Sequence, residues 1–321
     1  MRSSPVPFIV TGLVLALMAT AHPQGTSLGT WVVKAPRPEF TNEAAAVAIG
    51  RKLLAPGGSK QGKSLTRLDE YDPATDRWRE HSPMPQPLDH LAVAVVNGKL
   101  YTFGGFAATV HQGAADAALE YDPASDTWRR LKPMNAPRAA AGAAAVDGKI
   151  HVIGGRLRDH EVKATHEVYD PATGNWSDAA PLPLARDHLA VVAAEGKIHV
   201  IGGRVATPDD RVGQHDVYDP ATDTWSSGPP LPTPRSAIGA ALYKGLIAVS
   251  GGEMRSGTFD ENEAYDVKAG RWLTLAPLPG GRHGHGVAVV GDSLYAVGGT
   301  LQPGGGGVTD QLLMFTLPGR N

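Results

Sequence analysis

Pairs of adjacent glycines recur through this chain at nearly constant intervals, and no other feature constrains its fold as strongly. The first glycines of the six pairs are Gly57, Gly104, Gly154, Gly202, Gly251 and Gly298, separated by 47, 50, 48, 49 and 47 residues. Five of these units also carry a tyrosine seven residues before a tryptophan, and a proline five residues after that tryptophan. The five sets are Tyr71, Trp78 and Pro83; Tyr121, Trp128 and Pro133; Tyr169, Trp176 and Pro181; Tyr218, Trp225 and Pro230; and Tyr265, Trp272 and Pro277. Internal repeats decide the fold before local propensity does, so one repetitive domain is predicted.

The sixth unit is incomplete at its C-terminal end. Its third segment, Gln311–Leu317, has Phe315 where the other units have tyrosine, and no tryptophan follows. Trp31, with Pro36 five residues later, supplies the missing piece from the other end of the chain. The segment Gly29–Pro36 is therefore predicted to form the last strand of the sixth unit. This closes a ring and leaves no free sheet edge.

Each unit is predicted to contain four strands, and no segment has the pattern of an ordinary amphipathic helix. The first strand is rich in small residues, which suits the crowded centre of a ring. The second ends at the glycine pair, where the lack of a Cβ permits positive φ or close approach of another segment. The third ends in Tyr-Asp-Pro, and the fourth carries the tryptophan, whose N–H needs a carbonyl partner. The predicted fold class is all-β.

The motifs KIHVIGG, VYDPATDTW and PLPTPR, with their counterparts in the other units, resemble those of the kelch repeat family. The resemblance covers residues 22–321 and implies a six-bladed β-propeller of four-stranded kelch blades. The implied blades are approximately 38–85, 86–135, 136–183, 184–232, 233–279, and 280–321 with 28–37. WD40 repeats fit less well, because the period is too long and no Gly-His/Trp-Asp pair recurs. Val267 replaces a proline in unit five and Ala55-Pro56 precedes the glycines of unit one, so these two blades are expected to be less regular.

Composition excludes several classes of function. A net charge of −2, from 30 basic and 32 acidic residues, gives no reason to expect a nucleic acid or an anionic membrane surface as partner. The chain has no cysteine, which excludes disulfides, thiolate metal sites and cysteine nucleophiles. Galactose oxidase also contains kelch blades, but its copper cofactor needs a Tyr–Cys cross-link that this chain cannot form. No nucleophile elbow, Walker loop or dinucleotide fingerprint occurs in a strand-to-helix context.

The first residues have the pattern of a targeting segment. Arg2 precedes an apolar run, Phe8–Ala21, of 14 residues, and Ala19-Thr20-Ala21 offers an A-x-A cleavage site. The run is short for a membrane span, so residues 1–21 are predicted to be a signal peptide. The mature chain is expected to begin near His22 and to be exported, to the periplasm or out of the cell, without a membrane anchor. Ring closure removes the most obvious edge for pairing, so a monomer is expected.

The resemblance to kelch propellers implies that a ligand binds at one mouth of the central channel. Counting back 16 residues from each glycine pair gives one set of mouth positions: Thr41, Leu88, Arg138, Arg186, Arg235 and Arg282. Two residues further on lie Glu43, His90, Ala140, His188, Ala237 and Gly284, and directly after the glycine pairs come Ser59, Phe106, Arg156, Arg204, Glu253 and Thr300. Guanidinium groups suit planar oxyanions, so the arginines predict a pocket for a carboxylate, a phosphate or an acidic peptide. The alternative is structural: the arginines tie blades together through carbonyls or acidic neighbours such as Asp89 and Asp187.

The histidines were weighed separately. His283 and His285 have a spacing that places both rings on one face of a strand, where they could chelate a metal. No third ligand lies at a diagnostic spacing, although His90 and His188 are able to approach in space. No metal or cofactor is therefore assigned, and His283 and His285 are placed among the ligand-binding residues. His151 and His199 occupy a position filled by tyrosine elsewhere, and His166 and His215 one filled by Asn262, so structural roles are expected.

Two functions of different classes stay open. The first is an exported binding or scaffold module that recognises a protein segment or a glycan at the arginine-lined mouth. The second is an enzyme, because bacterial N-acetylneuraminate epimerase is similar in being an exported six-bladed kelch propeller. In that case Glu43, His90 or His188 would act as general acid or base, and the arginines would hold the sugar carboxylate.

Overall fold

The computed structural model describes residues 28–157 and 161–319. The predicted signal peptide, residues 1–21, lies outside the described residues and stays a prediction. Six four-stranded antiparallel sheets, each built from one repeat, form the blades. Blades 1 to 3 consist of Val47–Ile49, Lys52–Pro56, Leu68–Asp72 and Arg77–Glu80; Ala92–Val96, Lys99–Phe103, Ala118–Asp122 and Thr127–Arg130; and Gly142–Val146, Lys149–Ile153, His166–Asp170 and Asn175–Asp178. Blades 4 to 6 consist of Ala190–Ala194, Lys197–Ile201, His215–Asp219 and Thr224–Ser227; Gly239–Tyr243, Leu246–Ser250, Asn262–Asp266 and Arg271–Thr274; and Gly286–Val290, Ser293–Val297, Leu312–Thr316 and Thr30–Lys34.

The sixth blade is completed by the N-terminal segment. Strand Thr30–Lys34 pairs antiparallel with Leu312–Thr316, and Trp31 lies directly opposite Phe315. The two aromatic rings are 5.0 Å apart between centroids. The predicted closure of the last blade by the strand around Trp31 is therefore confirmed, and so is the all-β propeller of four-stranded blades.

A ring of backbone hydrogen bonds closes the molecule around its centre. Six residues, one from the segment leading into each blade, have left-handed φ values between 51° and 59°. Each donates its N–H to the carbonyl of the equivalent residue in the preceding blade, at 2.8–3.2 Å, and the last bond joins Glu43 N–H to Gly284 C=O. These six residues, here called the mouth ring, are Glu43, His90, Ala140, His188, Ala237 and Gly284. Below the mouth ring, the first strand of each blade contacts the first strand of the next, including the sixth with the first.

The repeated tryptophans fasten neighbouring blades at the outside of the ring. Each indole N–H donates to a backbone carbonyl of the preceding unit at 2.8–2.9 Å, which gives a buried polar group its partner. The six bonds run from Trp31 to Ala276, Trp78 to Ala35, Trp128 to Ser82, Trp176 to Lys132, Trp225 to Ala180 and Trp272 to Pro229. Trp31 and Trp78 take their places in this series, so the N-terminal strand participates in the ring on the same terms as the others.

The glycine pairs let the segment leading into the next blade approach the end of the second strand. At Gly202 a Cβ would lie 2.7 Å from the carbonyl oxygen of Arg235, closer than real side chains come. The N–H of Gly203 donates to that same carbonyl at 3.1 Å. This close approach gathers the segments leading into the blades, and the loops after the glycine pairs, at one end of the channel.

The loops after the glycine pairs add structure at this end. Phe106–Thr109 and Gln112–Ala114 form a hairpin that joins Ser59–Lys60 and Lys63–Ser64 in a further four-stranded sheet. Glu253–Met254 pairs with Gly257–Thr258, and Pro303–Gly305 forms one 3-10 turn. Blade 1 is less regular than the others, with a first strand of three residues, whereas the strands of blade 5 have the usual lengths. Among the described residues no helix is long and apolar enough to cross a membrane.

Candidate functional site at the mouth of the channel

The arginines on the segments leading into the blades lie inside the blades. Arg138, Arg186, Arg235 and Arg282 are at most 1% exposed. The first three pair with carboxylates on the third strand of their own blade: Arg138 with Glu167, Arg186 with Asp216 at 2.8 Å, and Arg235 with Glu263. Their remaining donors bond to backbone carbonyls of the second strand.

The predicted basic pocket therefore does not form from Arg138, Arg186, Arg235 and Arg282, and the structural alternative holds for these four. A guanidinium taken out of water needs a counter-charge and hydrogen-bond acceptors, and the interior of each blade supplies them. The acidic partners are third-strand residues rather than Asp89 and Asp187. Arg282 is the exception, because its partner is the neutral Gln311, and burial lowers its pKa to about 10.

The arginine series has a fifth member that a fixed count of 16 residues misses. In blade 1 Arg37 bonds to Asp69 at 2.7 Å, to the carbonyl of Ala55 at 2.9 Å and to the hydroxyl of Thr41 at 2.5 Å. Four extra residues separate it from its usual place, so the count arrives at Thr41. The signal was present as a Pro-Arg step, Pro36-Arg37, like those at Pro137-Arg138 and Pro234-Arg235.

Blade 2 replaces the ion pair with two leucines. Leu88 stands at the arginine position and Leu119 at the position of the carboxylate, and both belong to one buried apolar cluster. The polar pair is thus exchanged as a unit, which avoids leaving one buried charge without its partner.

Three histidines meet at the centre of the mouth. His90 and His188 come from the mouth ring, and His111 comes from the turn between Phe106–Thr109 and Gln112–Ala114. Their ring centroids lie 5.0 to 6.0 Å apart, and one nitrogen of each lies within 4.8 Å of the others. His90 and His188 were predicted as site residues, but His111 was not. It sits in a loop whose length varies between repeats, so no periodic signal identifies it.

Carboxylates orient two of these rings. Nδ1 of His90 lies 2.6 Å from Asp89 Oδ1, and Nδ1 of His188 lies 2.8 Å from Asp187 Oδ1. Burial works against protonation of His90, but the carboxylates of Glu43 and Asp89 outweigh it and raise its pKa. Burial and the nearby Arg204 guanidinium hold the pKa of His188 well below its usual value. Burial likewise lowers the pKa of His111 to about 3, so both of these imidazoles are neutral at physiological pH.

The two arginines that follow glycine pairs differ in their partners. Arg204 is fully engaged, with Asp187 at 3.2 Å, His188 Nε2 at 3.0 Å and the carboxylate of Glu253. Arg156 lies 3.6 Å from Asp187 and above the ring of Phe106. Its Nε is buried without a hydrogen-bond partner within the described part of the chain.

A cavity of about 450 Å³ opens beside this group of charges. Its lining includes His111, Arg156, Arg204, Thr207, Glu253 and Arg255. Glu43 lies on the far side of the histidines, 3.2 Å from His90 and 3.7 Å from His283. The mouth therefore holds both acidic and basic side chains rather than the arginine-rich lining predicted.

His283 and His285 do not share a face. Gly284 between them has a φ of +59°, which breaks the alternation of a regular strand. His283 reaches the mouth, with Nε2 3.1 Å from Gln302 C=O and Nδ1 3.6 Å from Glu253. His285 is buried between blades 5 and 6 beside Ser250, and burial lowers its pKa to about 3. The proposed His-x-His chelating arrangement is therefore wrong.

The histidines assigned structural roles have them. Nδ1 of His166 lies 3.0 Å from Ala180 C=O and Nδ1 of His215 lies 3.0 Å from Pro229 C=O. Asn262 makes the equivalent bond, donating from Nδ2 to Ala276 C=O at 3.1 Å. The remaining nitrogens of His166 and His215 contact His151 and His199.

Fold and mouth together define a β-propeller of kelch-type blades with a polar site at one end of its channel. The chain belongs to the kelch-repeat family, since the family model of the KLHDC2/KLHL20/DRC7 kelch-repeats domain matches residues 27–182 and 137–299.

Individual relatives match over shorter stretches. Kelch-like protein terF of Aspergillus terreus is 37% identical over 71 residues, 21% of this chain and 16% of the relative. Kelch-like protein 40 of Xenopus tropicalis is 35% identical over 68 residues, 21% of this chain and 11% of the relative. The match thus spans less than a fifth of either relative. The solved structure of YjhT superposes with a TM-score of 0.74 at 20% identity, covering 87% of this chain and 96% of that one, which shows a shared fold.

Proposed function

We propose that this chain is an exported kelch-repeat binding module that takes an acidic segment of a partner protein in the mouth cavity. Arg156 carries the proposal, because it is the cavity-lining arginine whose buried Nε has no hydrogen-bond partner among the described residues. A guanidinium with free donors binds a carboxylate in a fork geometry and gains more from it than from water. Kelch-repeat proteins are typically protein-binding scaffolds, which supports a protein partner over other ligands.

The size of the cavity limits what enters it. At about 450 Å³ it falls in the range of pockets that enclose a small ligand. It admits one or two side chains of a loop or chain end, not a folded surface. Arg255 at the rim is exposed and already pairs with Asp209 at 2.9 Å, so Arg156 is the expected anchor for the acidic group.

The proposal is tested with two peptide libraries that differ only in charge. One contains Asp and Glu at the variable positions, and the other contains Asn and Gln at the same positions. The immobilised protein is expected to retain acidic peptides selectively, and Arg156→Ala should weaken their binding by about tenfold or more, as for a buried charge-assisted pair. Arg51→Ala, in an exposed turn between the first and second strands of blade 1, is the matched control and should bind normally. Equal retention of both libraries, or normal binding by Arg156→Ala, would reject the proposal.

An enzymatic function is a second candidate, supported by one specific contact. Glu43 Oε2 lies 3.2 Å from His90 Nε2, and both side chains are largely buried at the mouth. Such a pair is suited to general acid and base catalysis on a sugar ring. NMR of N-acetylneuraminate should then show accelerated exchange between anomers. Glu43→Gln and His188→Ala should each abolish the acceleration, while Arg51→Ala should retain it; no acceleration by the unmodified protein would reject this function.

A further inference from the structure

The cluster of His90, His111 and His188 is not explained by the binding of an acidic segment at Arg156. Three imidazoles converge from three places in the chain, two in the mouth ring and one on a hairpin turn. One nitrogen from each lies within 4.8 Å of the other two. Neutral imidazoles stacked this closely gain little from each other, and the molecule needs none of them to close its ring, because the mouth ring is joined by backbone bonds.

We propose that His90, His111 and His188 form a binding site for one divalent transition metal ion, with Zn²⁺ the best match. Three imidazole ligands with a fourth position left open is a known coordination pattern of zinc, with Zn–N distances of about 2.0–2.1 Å. Those distances place ligand nitrogens roughly 3.3 Å apart in a tetrahedron, by the geometry of such sites. The cluster needs a modest contraction, and His111 at the hairpin turn is the member able to move.

Second-shell contacts already orient two of the ligands. Asp89 accepts from Nδ1 of His90 and Asp187 accepts from Nδ1 of His188. A carboxylate on one nitrogen fixes the tautomer and leaves the lone pair of the other nitrogen for a metal. Independently, Nε2 of His90 is buried without a hydrogen-bond partner among the described residues. An unused, buried nitrogen lone pair that faces two other imidazoles is what an empty ligand position looks like.

The surrounding charge favours a cation. Four carboxylates lie around the cluster, those of Glu43, Asp89, Asp187 and Glu253, against two guanidinium groups, Arg156 and Arg204. Two negative charges are therefore in excess before any histidine takes a proton. Arg204 donates to Nε2 of His188 at 3.0 Å. A bound ion would take that lone pair, and Arg204 would keep its bonds to Asp187 and Glu253.

The test uses the mature chain without an affinity tag, freed of metal with a chelator. Isothermal titration with Zn²⁺ should give one ion per chain, and Co²⁺ should produce the visible absorption of a four-coordinate site. His111→Ala should weaken Zn²⁺ binding by about a hundredfold and Asp89→Asn by about tenfold, the losses expected for a ligand and its outer-shell partner. His151→Gln is the matched control, since it removes one histidine outside the mouth and should bind Zn²⁺ normally. Circular dichroism would verify that each variant is folded.

Three outcomes would overturn the proposal: no saturable binding of one ion, unchanged affinity in His111→Ala, or an equal loss in His151→Gln. The test is separate from that of the proposed function. Arg156→Ala should abolish peptide binding without weakening Zn²⁺ binding, and no peptide is present in the metal titration.

Discussion

The guanidinium of Arg282 donates to the side-chain oxygen of Gln311 at 2.9 Å, in the place where Arg37, Arg138, Arg186 and Arg235 bond to a carboxylate. Blade 6 thus holds a buried positive charge whose listed pair is neutral, and Nε of Arg282 also lacks a hydrogen-bond partner within the described chain. An internal comparison with the other blades shows what this position lacks.

Gln311→Glu should stabilise the protein. The substitution converts a neutral bond into a charge-assisted one, and the expected gain at pH 7 is about 1 kcal/mol in the free energy of unfolding. Gln311→Leu should have the opposite effect and cost about 1–3 kcal/mol, because it removes the acceptor altogether. Urea denaturation of the two variants checks this prediction, and a change of the same sign in both would contradict it.

Blade 2 should accept the ion pair of its neighbours only as a pair. Leu88→Arg alone should destabilise the fold by about 3 kcal/mol or more, since it buries a charge without a partner. Adding Leu119→Glu should recover most of that loss. A double-mutant cycle by urea denaturation measures the coupling between the two positions. Additive losses would show that residues 88 and 119 do not occupy the arginine and carboxylate positions of the repeat.

The mouth ring contains two alanines in a strained backbone conformation. Ala140 and Ala237 each have a φ of 54°, and the left-handed region costs an alanine about 1–2 kcal/mol. Ala140→Gly should relieve that strain and stabilise the protein by about 0.5 kcal/mol after the entropy of the more flexible unfolded chain is subtracted. Ala145→Gly, in the regular first strand of blade 3, is the control and should destabilise by about 1 kcal/mol. Thermal unfolding of both variants distinguishes strain relief from a general effect of glycine.

Acid should destabilise the protein well above the range in which carboxylates titrate. Burial lowers the pKa of His151 and His199 to about 4, whereas an unfolded histidine titrates near its usual value of about 6.5. The unfolded state therefore binds more protons between those values, and the stabilisation present above pH 6.5 is lost as the pH falls. Each such histidine contributes about 1.4 kcal/mol per pH unit.

Urea denaturation at pH 7.5 and pH 5 measures this effect, and the double variant His151→Gln/His199→Gln should show a smaller difference between the two conditions. His90 has the opposite sign. Its pKa is raised, so its contribution is complete below pH 6.5 and is lost as the pH rises through the higher value. A double variant with the same pH dependence as the unmodified protein would contradict the assignment of the buried, neutral histidines.

Export is expected to remove the first residues. Signal peptidase should cleave after Ala21, so mass spectrometry of the protein from an envelope or secreted fraction should give a chain that begins near His22. Replacing Ala19 and Ala21 by bulky residues should block cleavage and retain the longer form. Recovery of the intact N-terminus from the unmodified protein would contradict the prediction.

Much of the fold followed from residue spacing. A tryptophan seven residues after a tyrosine and five before a proline occurs five times, and Trp31 keeps the step to Pro36, so the closure of blade 6 was predictable. Partners within a repeat are set by sequence distance, because strands of constant length return to the same register. The mouth was less predictable. The arginines of the blade interiors look like anion ligands in the sequence, and His111 lies in a loop with no counterpart in the other repeats.

The amino-acid sequence alone determined the number of repeats, their four-stranded form and the strand that joins the two ends, because each depends on periodic residues that act locally. Only the tertiary structure decided which polar groups are buried and which meet at the mouth. Burial is a property of the closed ring: Arg186 reaches Asp216 inside one blade, while His90, His111 and His188 come together only after the blades surround a common axis. Contacts across that axis join residues with no fixed separation in the chain, so no pattern of spacing records them.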